Sequence, residues 1–493
     1  MFSHEKTVVE KQKAAEGAPV QWREASGHWA RAPHLLGWHL ATCNSPLAHP
    51  HSLGMPELTI AQCGEQRPQC QQCTRSNRSC PGYRRNPVFI QVNPAASSES
   101  SPQHHLSLIR TAYQQQLLGD FHEQYIPDID HVSESRSWLS ALLQLPFQTK
   151  ASKASGLALC TAMLGRTRAN PGLVRESLDL YTRGLRELQL ALLSPSMVRH
   201  DETLAACLAL AMYEIMECPG RQISGYYHHC RGLMSLIKLR GVDAHKSGFG
   251  HQLFLAIRAH GIMYDLGQLT PSFMANRVWI EKPWENTTKS PSDRITDCMA
   301  HLPRLFHDIE TYTSLSCVEK EAMALDLIAD FQFLDTSLQD IYNELKGSKT
   351  GPLYWSSLSR DFNSADPMKG PLFPIAFQFP DLKTAGNLMT YWATCALIWN
   401  AWNSIYEDFR HVAHGKITIS PRDISSVIVN VCQSAEFCLH GTKSVRGGYI
   451  ATMPLAICKE ILQSHGNQPQ QVEWIQRALK ALENRGARIL KYI

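Results

Sequence analysis

Between Asn170 and Gly267 the apolar residues recur alternately four and three positions apart, and this period constrains the fold more than any other feature of the chain. Asn170-Pro171 offers a capping side chain followed by proline at the first helical position. The helix it opens carries Val174, Leu178, Tyr181, Leu185, Leu188 and Leu192 as one stripe, and Pro195 ends it. A second helix begins near Asp201, repeats the stripe at Leu204, Leu208, Ala211 and Ile215, and stops at Cys218-Pro219-Gly220. A third runs from about Gly225 with Tyr226, Cys230, Leu233 and Ile237 inward, and Gly241 is placed to cap its C-terminus. A fourth spans roughly Gly250 to Gly267. Each such helix must bury one face, and short polar turns bring the next helix back to cover it. The expected fold class is all-α, a multi-helix array or bundle.

The same pattern extends in both directions. Residues 105–125 place Leu106, Ile109, Tyr113, Leu117 and Phe121 on one face. That run is too short for a stable coiled coil and reads as core packing. Ser135–Leu145 and Lys153–Arg166 follow as helices. Residues 268–315, with Pro271, Pro283, Pro291 and Pro303, read as loop-rich, and a long helix covers Val318–Lys346. Leu353–Pro380 returns to loop. Thr384–Tyr406 holds no charged residue and is long enough to cross a bilayer. However, Asn387, Thr390, Thr394 and Ser404 line one side, opposite Leu388, Trp392, Cys395, Trp399 and Trp402. A buried helix with one polar edge explains this better than lipid exposure, so no membrane association is expected. Helices near 422–440, 449–465 and 470–492 complete the chain, with Pro454 placed to bend the middle one.

With 493 residues the chain can bury a large core, which favours one big domain and a small module. It is 44% hydrophobic and 19% charged with a formal net charge of +4, a balance too mild to imply nucleic-acid binding by itself. Cys160, Cys207, Cys395 and Cys458 sit among apolar neighbours, as small core residues do in a reducing compartment. The start, MFSHEKTVVEKQK, lacks the apolar stretch of a signal peptide, so a nuclear or cytosolic protein is expected. Enzyme signatures are missing: there is no HExxH, GxSxG, Walker A or strand-linked GxGxxG. His228-His229-Cys230 does not read as a metal site, because adjacent helical residues diverge by about 100°. Glu214 and Glu217 read as a solvated face, and the chain is expected not to be an enzyme.

A separate feature lies upstream. Cys63–Cys80 reads CGEQRPQCQQCTRSNRSC, with the spacing C-x6-C-x2-C-x6-C. Cys63, Cys70, Cys73 and Cys80 are the candidate metal ligands, because zinc prefers a tetrahedron of thiolates and a C-x2-C knuckle supplies it at little loop-closure cost. Arg67, Arg75, Arg78, Arg84 and Arg85 stand in this stretch against one acid, Glu65, a cluster that suits phosphate contacts and nuclear import. Residues 86–104 turn to Pro, Ser and short polar residues and read as a flexible linker. The expected organisation is therefore an unstructured or mis-assigned segment 1–62, a zinc module 63–85, the linker 86–104 and a helical domain 105–493.

Cys63–Cys80 with the following Pro81-Gly82-Tyr83 closely resembles the last two thirds of the fungal binuclear zinc-cluster (Zn2Cys6) DNA-binding domain. Cys63 matches the third cysteine, Pro68 the loop proline, and Cys70, Cys73 and Cys80 the fourth to sixth. The two positions of the first cysteines hold Leu53 and Pro56, and the recognition-helix segment reads Glu57-Leu58-Thr59-Ile60-Ala61-Gln62, without positive charge. The element that would enter the major groove is thus missing, and four thiolates cannot complete two zinc tetrahedra. Three accounts fit: residues 1–62 are a mistaken exon, the chain holds one zinc, or Cys43, His49 or His51 serve as further ligands. The lack of any sustained period in 1–62, despite Trp22, Trp29 and Trp38, fits the first account best. QLLGDFHEQYIPDI, SRSWLSALLQLP and YYHHCRGLMSLIKLRG resemble the α-helical regulatory domain that follows the zinc cluster in fungal transcription factors.

The resemblance implies a nuclear, zinc-dependent regulator of RNA polymerase II transcription. Arg75, Arg78, Arg84 and Arg85 would contact DNA phosphates, and the helical domain would dimerise, sense a ligand or meet the transcription machinery. The competing reading is a helical interaction protein that has lost sequence-specific DNA binding.

Overall fold

The computed structural model describes residues 102–125, 149–347, 351–360, 371–412, 420–439, 444–466, 468–484 and 488. The segment 1–62, the cysteine module, most of the linker, the expected helix Ser135–Leu145 and the end of the last expected helix lie outside the described residues. Within them the fold is all-α, with thirteen α-helices and one short β-hairpin. The chain divides into two compact units, one gathering the described residues up to Gly261 and the other those from Ile262 to Leu482.

The first unit contains α1 (Pro102–Tyr125), α2 (Lys150–Thr167), α3 (Pro171–Leu193), α4 (Asp201–Glu217), α5 (Ser224–Arg240) and the start of α6 (Gly248–Gly267). At its centre is α2, which packs on α1, α3 and α4. Its sequence, KASKASGLALCTAMLGRT, is built from small residues, and every position from Ala154 to Gly165 is buried. A helix buried on all sides carries no apolar stripe, which is why periodicity marked its neighbours more clearly than α2 itself. Close approach is enforced by Gly184 of α3, where an added Cβ would lie 2.8 Å from Ser155 Oγ.

The expected caps are present. Asn170 Oδ1 accepts from the N–H groups of Gly172 and Leu173, with Pro171 at the first helical position. Gly241 adopts φ +79° at the end of α5, a conformation open to glycine without a Cβ penalty. On α1, Leu117 and Phe121 are buried while Tyr113 reaches outward and donates from its hydroxyl to Glu176 Oε2 at 2.9 Å. The expected stripe of α3 is corrected. Leu178 and Leu185 are exposed, and the buried face is Ser177, Tyr181, Gly184, Leu188 and Ala191. The small residues of α2 draw in whatever on α3 is small enough to meet them, and leucines beside that line are left outside.

In the second unit, α10 (Leu382–Val412) is the axis. It packs on α8 (Pro291–Ser314), α9 (Cys317–Gly347), α11 (Ile424–Leu439) and α12 (Ser444–His465), while α7 (Arg277–Glu281) and α13 (Pro469–Asn484) complete the helix set. Being covered on several sides, α10 buries both of its faces, including Asn387, Thr394 and Asn400 of the polar edge. Thr394 Oγ1 donates to the Thr390 carbonyl at 2.7 Å, and Asn400 Oδ1 lies 2.7 Å from His465 Nε2 of α12. Among the described residues no helix is long and apolar enough to cross a membrane.

Two expected loops are structured. Residues 291–314 form α8, opened by a capping box in which Ser290 and Asp293 bond each other's backbone N–H. Pro291 occupies the first turn, where its missing N–H costs nothing, and Pro303 is tolerated within the helix because Ile295, Met299, Leu302, Phe306 and Ile309 are buried around it. Leu353–Pro380 contains an antiparallel hairpin, β1 (Trp355–Leu358) with β2 (Ile375–Gln378), in the register Trp355↔Gln378 and Leu358↔Ile375. Ala376 and Phe377, successive residues of β2 that point to opposite faces, are both buried, and β2 packs on α11.

Candidate functional site

The candidate ligands Cys63, Cys70, Cys73 and Cys80 and the candidate phosphate contacts Arg75, Arg78, Arg84 and Arg85 all lie outside the described residues. Four thiols in this spacing suffice for one tetrahedral zinc and fall short of the six that a binuclear cluster shares.

Within the first unit the polar side chains converge where α3, α4 and the start of α5 meet. Glu214, near the end of α4, is only 4% exposed. Its Oε1 accepts from the Tyr181 hydroxyl, while its Oε2 has no hydrogen-bond partner. Tyr181 stacks on Tyr213 with ring centroids 4.5 Å apart and planes 16° from parallel, and the Tyr213 hydroxyl lies 3.1 Å from Ser177 Oγ. One turn beyond, Glu217 receives Arg166 of α2, with Nε at 2.8 Å from Oε1 and Nη2 at 2.5 Å from Oε2. The expectation that Glu214 and Glu217 form a solvated face is therefore corrected. Helical spacing placed them near each other, but only the packing of α2 and α3 shows that both are covered.

Burial pushes the Glu214 carboxyl above its ordinary value, and the hydrogen bond from Tyr181 pulls partly against it. Burial, aided by the same carboxylate, also holds the Tyr181 phenol far above its usual range. Glu214, an acid near the end of the apolar run LAACLALAMYEIME, was the available sequence signal for this pair. Its partner tyrosine lies on a separate helix and gave no signal.

The remaining nucleophiles and metal-binding side chains are quiet. Cys160, Cys207, Cys395 and Cys458 are free and buried, as expected, and burial pushes the Cys207 thiol up to about 12. Thiols held in that range carry almost no thiolate at neutral pH, so they behave as core residues. His229 is driven down to about 4, chiefly by burial and then by neighbouring His228. His260 is likewise lowered to about 4 by burial, and its Nδ1 lies 2.6 Å from the Tyr226 hydroxyl. Among the described residues no group of three or more His, Cys, Asp or Glu side chains could hold a metal ion.

Comparison with known proteins places these helices in context. Residues 116–370 match the family model described as the fungal specific transcription factor domain. The chain is also 27% identical over 198 residues to "Uncharacterized protein AN5342" of Emericella nidulans, covering 38% of this chain and 42% of that protein. The chain thus spans less than half the length of that curated relative. No solved structure matches. The family match runs from α1 through the helices of the first unit into the second and covers more than half of the sequence. The chain belongs to the fungal specific transcription factor domain family.

Proposed function

We propose that this protein is a nuclear regulator of RNA polymerase II transcription that binds zinc through Cys63, Cys70, Cys73 and Cys80. The observation that carries the reading is the order of parts: a C-x6-C-x2-C-x6-C stretch and a polar linker precede helices that match the fungal specific transcription factor domain. Zinc, when bound, supplies the folding energy of a module that has almost no apolar core of its own. The chain's own contribution is positive charge. Arg75, Arg78, Arg84 and Arg85 contact DNA phosphates, which gives affinity and a steep salt dependence without choosing a sequence. The helical units transmit regulation to the transcription machinery or to a second copy of the chain.

One observation favours a second reading, an interaction protein without sequence-specific DNA binding. The segment Glu57–Gln62, where base-reading cations belong, contains none, and Leu53 and Pro56 stand where two ligands belong. Metal analysis of the purified chain, beside the 5′ sequence of its native transcript, separates the two. Two zinc ions in a native product with six cysteines support the DNA-reading regulator. One zinc on the present sequence, removed by Cys73→Ser, supports the single-zinc interaction protein. A chain that binds no zinc refutes the metal reading altogether.

A further inference from the structure

On α3 the fold uses less apolar surface than the sequence provides. Ser177, Tyr181, Gly184, Leu188 and Ala191 face inward, and α2 and α4 pack on this helix. Leu178, Leu185, Leu190 and Leu193 stay exposed. Among the described residues of the first unit, α1 and α5 each expose one large apolar side chain, Tyr113 and Leu239. The outward apolar surface is thus concentrated on one helix.

Its layout has an internal symmetry. Thr182 stands in the middle of the exposed face, and its hydroxyl is already satisfied by the Leu178 carbonyl at 3.0 Å. With about 100° per residue, Leu178 and Leu185 lie about 40° and 60° to one side of it. Asp179 and Arg186, both exposed, lie about 60° and 40° to the other side. One flank is therefore apolar, and the other carries one charge of each sign. Both pairs bracket Thr182 along the helix. Asp179 and Arg186 stand about 10 Å apart along the axis, too far to pair with each other within one helix.

A second α3 laid antiparallel, with the twofold axis at Thr182, uses each of these features. That operation sets each flank against its own copy. Leu178 meets Leu185 of the second copy, and Leu185 meets Leu178 of the second copy. Asp179 and Arg186 then form two equivalent ion pairs with Arg186 and Asp179 of the second copy. Residue pairs exchanged in this way define an isologous contact. A parallel pair would set the apolar flank against the charged one, and a partner of other sequence would not require both flanks to share one centre. The small side chain of Thr182 at the crossing lets the two helices approach closely. Arg175 falls opposite Gln189 of the second copy, and Arg183 lies about 100° round at the rim, so like charges are not pressed together.

We propose that α3 is a self-association surface on which two copies of this chain pair antiparallel through Leu178, Thr182 and Leu185. Asp179 and Arg186 are exchanged across the twofold axis. The contact goes beyond the regulation proposed above in needing neither zinc nor DNA. One helix face is a small interface, so the dimer dissociates in the micromolar range.

The test is sedimentation equilibrium of the full-length protein from about 1 to 100 μM, before and after chelation. A monomer–dimer equilibrium that survives chelation is expected. Leu185→Asp weakens it about tenfold or more, whereas Leu239→Asp on α5 leaves it unchanged. Asp179→Arg and Arg186→Asp each weaken it about fivefold, because each breaks both ion pairs and brings like charges together. The double variant Asp179→Arg/Arg186→Asp restores it. Every substituted side chain is exposed, so the helix signal in circular dichroism is retained throughout. A protein that stays monomeric overturns the proposal, as does a dimer that Leu239→Asp weakens as much as Leu185→Asp, or a double variant no tighter than the single ones. A dimer lost on chelation and untouched by the α3 variants also overturns it, and leaves the zinc reading standing.

Discussion

Replacing Tyr181 by Phe tests the buried polar cluster of the first unit most directly. The ring and its 4.5 Å stack on Tyr213 are retained, and only the hydroxyl that donates to Glu214 Oε1 is lost. Glu214 Oε2 already has no partner, and the residue is only 4% exposed, so water cannot restore what is removed. A hydrogen bond to a charged group contributes about 1.5–3 kcal/mol, and a buried acceptor left unsatisfied raises the cost toward the upper end. A loss of about 2 kcal/mol is therefore expected at neutral pH, or about 4–8 °C in the melting of a unit of this size.

The pH dependence follows from the same carboxyl. Its value in the folded chain is raised above the ordinary 4.5 by burial, so its contribution to stability is fully present below that value and is lost as pH rises through the folded one. Tyr181 opposes the rise, so removing its hydroxyl carries the Glu214 titration to higher pH still. The gap between wild type and Tyr181→Phe should widen with pH and narrow in acid to that of a neutral hydrogen bond, about 1 kcal/mol or less, where Glu214 is protonated in both. Thermal denaturation followed by circular dichroism between pH 4 and pH 8 reads this directly. In a Glu214→Gln background the titration is absent, and the same tyrosine change should cost about 1 kcal/mol or less. A gap that is constant with pH, or equal in the two backgrounds, would refute the account.

Three further outcomes follow from close packing and metal chemistry. An alanine Cβ at Gly447 would lie 1.9 Å from the Cys438 carbonyl oxygen, so Gly447→Ala should lower the unfolding free energy read from urea denaturation by about 1–3 kcal/mol despite its better helix propensity; a stabilised variant would show that α11 and α12 are not in such contact. Glu436 accepts from Ser359 Oγ at 2.7 Å and from the Arg360 N–H at 3.1 Å, so Glu436→Ala should release the chain after β1 and raise hydrogen exchange of the Arg360 amide at least tenfold. Unchanged exchange there would show that the hairpin is held by other contacts. Chelation should remove the zinc proposed at Cys63, Cys70, Cys73 and Cys80, as metal analysis reads, while the far-ultraviolet helix signal of the two units is retained; a helix signal lost with the metal would refute this.

Most of the helices were legible because each is amphipathic and carries its own punctuation. Asn170-Pro171 and Gly241 mark ends within one residue of where the structure puts them. The α8 helix was missed because its prolines were weighed as breakers, although Ser290-Pro291-Ser292-Asp293 spells a capping box and Pro291 stands where proline is welcome. The hairpin was missed because its two strands are four residues each and separated by a long connection, so no alternation is sustained.

The sequence by itself determined the helical class and the cap positions, because these depend on residues close together in the chain. Tertiary structure decided which faces are covered. The small residues of α2 draw Gly184 and Tyr181 inward and leave Leu178 and Leu185 outside, and they bury Glu214 beside a tyrosine thirty-three positions away. Burial is a property of what packs against a side chain, and a local period specifies only that something must.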